Sequence, residues 1–431
     1  MDLLRLATAG SVDDGKSTLI GRLLYETGSV TGDKLRAIEA ASRRRGADGL
    51  DLSLLTDGLI AEREQGITID VAHVYFATPR RRFVIADTPG HVEYTRNMVT
   101  GASTASVSVI LVDARNGLVE QTRRHYYIAA LLRIPTVVVC VNKMDLVGHS
   151  QARFAEIAQA FHEMAAPIRP EGQAVVVLPV SSLHGENITT PSPNLAWHAG
   201  PTLLDVLESA DTHQRDTLPG RLQVQRVLRP RKAGAIDVRA YAGRVASGTF
   251  AVGDDVVVLP GERASRIVRI TRGGEDVDRA GAGASVAIEF ADDIDAGRGS
   301  LVVTNDRAAT PPARREFDAT LCWLDEQPLQ PGRGYLVQHG VQRVRARITA
   351  ITGVVDVATL QVGPPTPRLG LNEIATVSVR LAEPVHADAY ADNPANGAVI
   401  VIDPDSNGTA GVGFVARASS PPAATPAEEH H

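Results

Sequence analysis

Two cysteines in 431 residues, Cys140 and Cys322, exclude a disulfide scaffold and any multi-cysteine zinc or iron–sulfur site built from this chain alone. Such scarcity fits a reducing compartment. Long apolar runs are missing too, and none approaches the ~18 residues that a membrane-spanning helix needs. The opening Met1-Asp-Leu-Leu-Arg5 lacks the basic leader and apolar region of a signal peptide. The expectation is a cytoplasmic protein with no membrane partner. Aromatic residues make up only 4% and the net charge is −6, so no chain-wide nucleic-acid surface is expected.

Apolar residues reach 44%, a globular proportion, and the length suggests about three domains. Up to about residue 210, short Val- and Ile-rich runs alternate with helix-like segments. The runs are Leu3 to Ala7, Phe83 to Ala86, Val107 to Val112, Thr136 to Val141 and Val175 to Val180. Near-continuous apolar runs suit strands buried on both faces of a mostly parallel sheet. Gln121 to Leu132 and Gln151 to Met164 read as helices between them. The pattern predicts a doubly wound α/β domain. Beyond Leu222 the runs shorten and Gly or Pro recurs about every ten residues, as in antiparallel barrels. Ile236 to Val245, Asp255 to Leu259, Ser265 to Thr271 and Ser285 to Ile288 are examples. Asp306 to Arg315 reads as a linker.

Gly10-Ser11-Val12-Asp13-Asp14-Gly15-Lys16-Ser17-Thr18 fits G-x-x-x-x-G-K-[ST] after a strand and before a helix. Its glycines let backbone amides turn toward an anion, and the helix N-terminus adds favourable potential. Lys16 can reach β- and γ-phosphates, and the Ser17 hydroxyl can ligate Mg²⁺. Asp87-Thr88-Pro89-Gly90 follows the run Phe83 to Ala86, at the strand end where α/β sheets bind ligands. Asp87 is thus a candidate for Mg²⁺, through a water, and the Gly90 amide for the γ-phosphate.

Asn142-Lys143-Met144-Asp145 fits N-K-x-D. A carboxylate at Asp145 accepts from the guanine N1 and N2 donors, a pair that adenine lacks. Asn142 would hold the loop, and the Lys143 stem would cover the base. Ser181-Ser182-Leu183 fits the loop whose backbone reads the guanine O6. In Glu62-Arg-Glu-Gln-Gly66-Ile67-Thr68, Thr68 could complete the Mg²⁺ shell when GTP is bound. His91 is the candidate for positioning the attacking water. The five motifs in this order point to a GTPase with GTP/GDP and Mg²⁺ as ligands. Cys140, inside a strand run, reads as a small buried hydrophobe. Arg43-Arg44-Arg45 and Arg80-Arg81-Arg82 read as solvated loops, the second at a hairpin tip after Pro79.

Gly90-His91, Tyr94-Thr-Arg-Asn-Met98 and Asn142-Lys-Met-Asp145, with two trailing β segments, resemble the translational GTPases, of which elongation factor Tu is the familiar type. This implies a P-loop GTPase domain followed by two β-barrels. The boundaries expected are 1–212, 213–308 and 309–416, with 417–431 a disordered tail. The strings Gly10 to Leu24, Asp57 to Val71, Gly101-Ala-Ser-Thr-Ala105 and Gln121-Thr-Arg-Arg-His125 are similar to one branch, the GTPase subunits of bacterial sulfate adenylyltransferase. That resemblance implies a catalytic partner, an ATP pyrophosphatase-like small subunit, in a heterodimer or higher assembly. The partner would make adenosine 5′-phosphosulfate and pyrophosphate from ATP and sulfate, driven by GTP hydrolysis. The phosphate-loop residues, Thr68, Asp87, Asn142, Lys143, Asp145 and Ser181 carry over as its site. The competing expectation is an elongation-factor-like carrier of aminoacyl-tRNA. No second G-x-x-x-x-G-K occurs, so adenylylsulfate kinase activity is not expected.

Overall fold

The computed structural model describes residues 2–44, 50–55, 72–88, 95–212, 214–229, 239–306 and 310–418. It divides into two compact units, Met1–Thr212 with Asp356–Gln361, and His213–Val355 with Val362–His431. The first unit is built on six strands: β1 (Leu3–Ala9), β2 (Ala72–Ala77), β3 (Arg82–Asp87), β4 (Val107–Asp113), β5 (Thr136–Asn142) and β6 (Ala174–Pro179). Their order is β2-β3-β1-β4-β5-β6. Only β2 runs antiparallel to its neighbour.

All seven residues of β4 are buried, which explains an unbroken apolar run in place of alternation. Helices α1 (Lys16–Glu26), α2 (Gly32–Arg44), α3 (Thr95–Ala102), α4 (Glu120–Leu131), α5 (Gln151–Ala165) and α6 (Leu203–Ser209) complete the unit. Leu19, Ile20, Leu23 and Leu24 of α1 turn to the core at helical spacing. Its opposite contact is closer still. A Cβ on Gly21 would stand 2.1 Å from the Leu52 carbonyl, so only glycine lets the helix backbone touch that turn.

The hairpin predicted at Arg80–Arg82 is present, joining β2 to β3, with Thr78 N–H bonded to the Arg81 carbonyl at 2.9 Å. Arg80 and Arg82 are exposed, as expected of a hairpin tip, but Arg81 is largely shielded from solvent. Arg81 pairs with Asp2 at 3.0 Å and donates to the carbonyls of Leu207 and Ala210. Arg80 pairs with Glu208 at 3.2 Å. The Arg81 bonds satisfy carbonyls at the C-terminal end of α6, where cations are favoured. Asp2 also accepts from the Thr212 hydroxyl at 2.5 Å.

The second unit holds two closed six-stranded barrels. The first closes in the order Asp255–Leu259, Leu301–Thr304, Arg221–Leu228, Ala240–Ser247, Ser285–Phe290, Arg263–Arg272 and back to Asp255–Leu259. The second closes as Gly334–His339, Ala398–Ile402, Thr409–Val415, Ala313–Trp323, Ile374–His386, Gln342–Asp356 and back to Gly334–His339. Closure removes the open sheet edges that would otherwise invite pairing with other chains. The expected linker Asp306 to Arg315 is shorter than its composition suggested. Ala313 and Arg314 already pair with His386 and Val385, because two prolines end the connection at 312 and the next residues can donate to a ladder. Both cysteines are buried, and burial pushes each thiol up to about 12.

A buried ion pair joins the barrels. Arg221, 1% exposed, donates from Nε and Nη2 to the two carboxylate oxygens of Asp388 at 2.9 and 3.0 Å. Asn396 donates to the same carboxylate at 2.9 Å, and Asn393 reaches the Ser247 hydroxyl at 2.8 Å. Removing one partner of such a pair strands a buried charge. Asp388→Ala should therefore cost about 3–5 kcal/mol in urea unfolding. Glu316→Ala, at an ion pair more than half exposed, should cost far less. Equal losses would show that the Arg221 pair is not a buried clasp.

Candidate functional site

The C-terminal ends of β1, β3, β4, β5 and β6 converge on one loop, residues 10–15. Two of its residues need the left-handed region: Asp13 at φ +68° and Gly15 at φ +92°. Aspartate tolerates that conformation and glycine favours it. At Gly15 space adds a second demand, since a Cβ would lie 2.5 Å from the Asn142 Nδ2. The loop then enters α1 at Lys16, and Asp14 ties its own turn by accepting from Ser11 N–H at 2.6 Å. Ser17 and Thr18 occupy the first turn of α1. Val12 is 47% exposed.

Behind the loop, Lys16 Nζ lies 3.8 Å from Asp87 Oδ1, and the Thr8 hydroxyl donates to the same oxygen at 3.0 Å. Thr88 donates to the Thr8 carbonyl at 2.6 Å, locking β1 to the end of β3. On the other side Asn142 is a two-way clamp. Its Nδ2 donates to the Asp14 carbonyl at 2.7 Å, while its Oδ1 accepts from the Ser182 amide and hydroxyl, both at 2.9 Å. Lys143 Nζ donates to the Asp13 carbonyl and pairs with Asp113 at 2.9 Å. Asp145 accepts from the Ser181 hydroxyl at 2.6 Å. Arg22 of α1 reaches the carbonyls of Ser182 and Leu183.

The structure thus brings Asp13, Asp14, Gly15, Lys16, Asp87, Asn142, Lys143, Asp145, Ser181 and Ser182 into one connected region. Thr68, Gly90 and His91 lie outside the described residues. Two groups were missed in the sequence. Asp113 ends β4 as Asp87 ends β3, and that shared position was the available signal. Glu186 accepts from His149 at 2.8 Å, Asn194 at 2.6 Å and Ser192 at 3.2 Å, bracing the loop after Ser181. Nothing local to Glu186 announces that role.

Electrostatics divide the two buried carboxyls. Burial raises Asp14 to about 6, and the Asp113 charge adds to it, against the opposing Ser11 amide, Lys143 and Lys16. Burial also acts on Asp113, but hydrogen bonds from Arg115 and Lys143 outweigh it and hold that carboxyl near about 2. His125 of α4 is buried and pushed down to about 3, first by burial and then by the Lys16 and Arg124 charges, so its imidazole is neutral. The N-terminus of α1 and the Lys16 ammonium have the chemistry to take a polyanion. A magnesium ion fits the donors beside it, the Ser17 hydroxyl and Asp87 carboxylate, because hard cations take oxygen and Mg²⁺ needs few protein ligands beside phosphates. Among the described residues no cluster of three or more His, Cys, Asp or Glu forms a dedicated metal cage.

Two outcomes follow for stability. Because the folded pKa of Asp14 lies above its ordinary 3.8, the folded state binds the extra proton, and stability falls as pH rises from about 4 through 6. Asp113 acts oppositely: its contribution is present above about 4 and is lost as pH falls toward 2. Asp14→Asn should abolish the first slope in pH-dependent unfolding and leave the second. Gly15→Ala should lower stability by about 1–3 kcal/mol, from left-handed strain alone, and weaken nucleotide binding. Wild-type binding in that variant would remove the loop from the site.

Comparison with known proteins follows the same lines. Residues 1–214 match the Elongation factor Tu GTP binding domain, and residues 316–416 match the GTP-eEF1A C-terminal domain-like family. The Bifunctional enzyme CysN/CysC of Mycobacterium tuberculosis is 50% identical over 417 residues, covering 96% of this chain and 67% of that protein. Sulfate adenylyltransferase subunit 1 of Erwinia tasmaniensis is 45% identical, covering 96% and 86%. The protein of the same name from Salmonella paratyphi C is 45% identical, covering 99% and 88%. No helix among the described residues is long and apolar enough to cross a membrane.

Proposed function

The chain belongs to the sulfate adenylyltransferase subunit 1 family, with a GTPase domain of the elongation factor Tu type, and from that premise we propose that its GTP hydrolysis drives adenylyl transfer on a partner subunit. The partner joins ATP and sulfate into adenosine 5′-phosphosulfate and pyrophosphate. That transfer is strongly uphill, and conversion of GTP and water to GDP and phosphate supplies the drive. The observation that carries the reading is the Asn142 clamp, which joins phosphate loop and base loop in a chain whose relatives are named for sulfate activation.

In this reading residues 10–18 wrap the phosphates, with Lys16 against the β- and γ-oxygens. Asp145 accepts from the guanine N1 and N2 donors while Ser181 holds its other side. Ser182 and Leu183 form the loop that faces the guanine O6, and the Lys143 stem covers the ring. The Gly90 amide meets the γ-phosphate, and His91 orients the water that attacks it. A bound Mg²⁺, held by Ser17, Thr68 and, through water, Asp87, would neutralise the charge between β- and γ-phosphates. The protein acts in the cytoplasm, with the catalytic subunit as partner and no nucleic acid.

The direct test mixes the purified chain with its sulfate adenylyltransferase partner and follows phosphate release and adenylylsulfate together. Both should rise together only when ATP, sulfate and GTP are all present. Turnover that responds instead to ribosomes or charged tRNA would establish the elongation-factor reading. Asp145→Asn should shift preference from GTP toward xanthosine triphosphate; unchanged GTP affinity would remove Asp145 from the base site. His91→Ala should slow hydrolysis while sparing GTP binding, as read by single-turnover kinetics and nucleotide titration. Normal turnover would dismiss His91.

A further inference from the structure

The strand Gln342–Asp356 of the C-terminal barrel alternates strictly at its start. Val344, Ala346 and Ile348 enter the core, and Arg343, Arg345 and Arg347 face outward. Residues two apart on a strand stand about 7 Å apart on one face, so three guanidinium groups form a regular column. We propose that this column is the docking surface for an extended acidic segment of a protein partner, one carrying carboxylates at alternate positions. The inference is independent of the nucleotide-site reading.

The column's neighbours make it costly to the barrel. Arg347 stands opposite Arg380 on one side and Gly334 on the other. Like charges directly opposite each other destabilise a sheet. Glu316 relieves Arg380 at 2.7 Å, but among the described residues no carboxylate reaches Arg345 or Arg347. Among the same residues Arg343 reaches the Gln338 side-chain oxygen, at 3.3 Å, and no carboxylate. Two of the four outward arginines on one strand of the first barrel show the paired alternative. There, outward Arg266 pairs with Asp255 and Arg269 with both Asp276 and Glu289. The chain is net acidic, so carboxylates were available, and this column was left without them.

Beside the column lies a cleft of about 420 Å³, walled by Leu336, Ala382 and Pro404 and rimmed by Arg345, Arg347 and Arg380. Arginine stems add apolar cover while their heads stay wet. A Cβ on Gly334 would meet nothing within 4 Å, so the space next to Arg347 is open. An extended peptide matches this arrangement: its alternate side chains repeat at the same spacing as the arginines, and the intervening ones can enter the cleft. A single-stranded nucleic acid matches it poorly, because stacking needs exposed aromatic rings. Phe317, Trp323, Tyr335 and Phe414 of this barrel are all buried.

The test uses the full chain and fluorescence anisotropy with three probes: a peptide alternating Glu and Thr, its isomer with all Glu in one block, and oligouridylate RNA. The alternating peptide should bind most tightly and weaken as salt rises. The Arg345→Glu/Arg347→Glu double variant should bind it at least about tenfold less well and keep basal GTP hydrolysis, while Arg345→Lys/Arg347→Lys should retain part of the affinity. Equal binding of the block isomer, tighter binding of the RNA, or an unaffected charge-reversal variant would each overturn the proposal. Thermal unfolding gives a second readout. Arg347→Thr should leave the melting temperature unchanged or raise it, since it relieves the opposition to Arg380. A lowered melting temperature would show that Arg347 serves the barrel itself, and would also overturn the proposal.

Discussion

One carboxamide holds the nucleotide-site architecture together. Asn142 presents its donor to the Asp14 carbonyl and its acceptor to two groups of Ser182. Neither a carboxylate nor an apolar side chain can face both ways. The phosphate loop follows β1, Asn142 ends β5, and Ser182 follows β6, so three segments separated widely in sequence are fixed by one planar group. Gly15 is bound to the same constraint: the amide occupies the space where any other residue would put its Cβ. Lys143 adds a parallel strut from Asp13 to Asp113.

The charges around that clamp are deliberately uneven. Two buried carboxyls sit near one another, and their partners push them in opposite directions. Asp113 is held ionised by Arg115 and Lys143, whereas Asp14 is raised by burial and by Asp113 itself. Lys16 meanwhile keeps a looser 3.8 Å approach to Asp87. A cation engaged at hydrogen-bonding distance would have to break that bond before it met a phosphate. A looser one loses less when an anion arrives.

Much of this was readable from the chain. That residues 10–15, Asp87 and the Asn142-to-Asp145 run would meet at one sheet edge was legible because each follows an apolar strand. The α/β-plus-two-barrels fold was legible because the period of the apolar pattern changes near residue 222. Other features were not. Arg221 carries no local mark of burial, since its partner Asp388 lies on the other barrel and only closure of both brings them together. Arg81 looked solvated because three adjacent arginines usually are, and the C-terminal end of α6 that it caps is more than a hundred residues away. Glu186 became informative only through Asn194, Ser192 and His149, none of which belongs to a recognisable motif.

The Asp2 carboxylate holds Arg81 of the hairpin and Thr212 at the unit's last residue. Positions 2, 81 and 212 are thus linked through one side chain. Directly after Asp2 comes β1, roughly 23 Å long at strand rise, and its far end is Ala9, just before residue 10. The carboxylate that holds Thr212 therefore sits one strand length from the loop at residues 10–15.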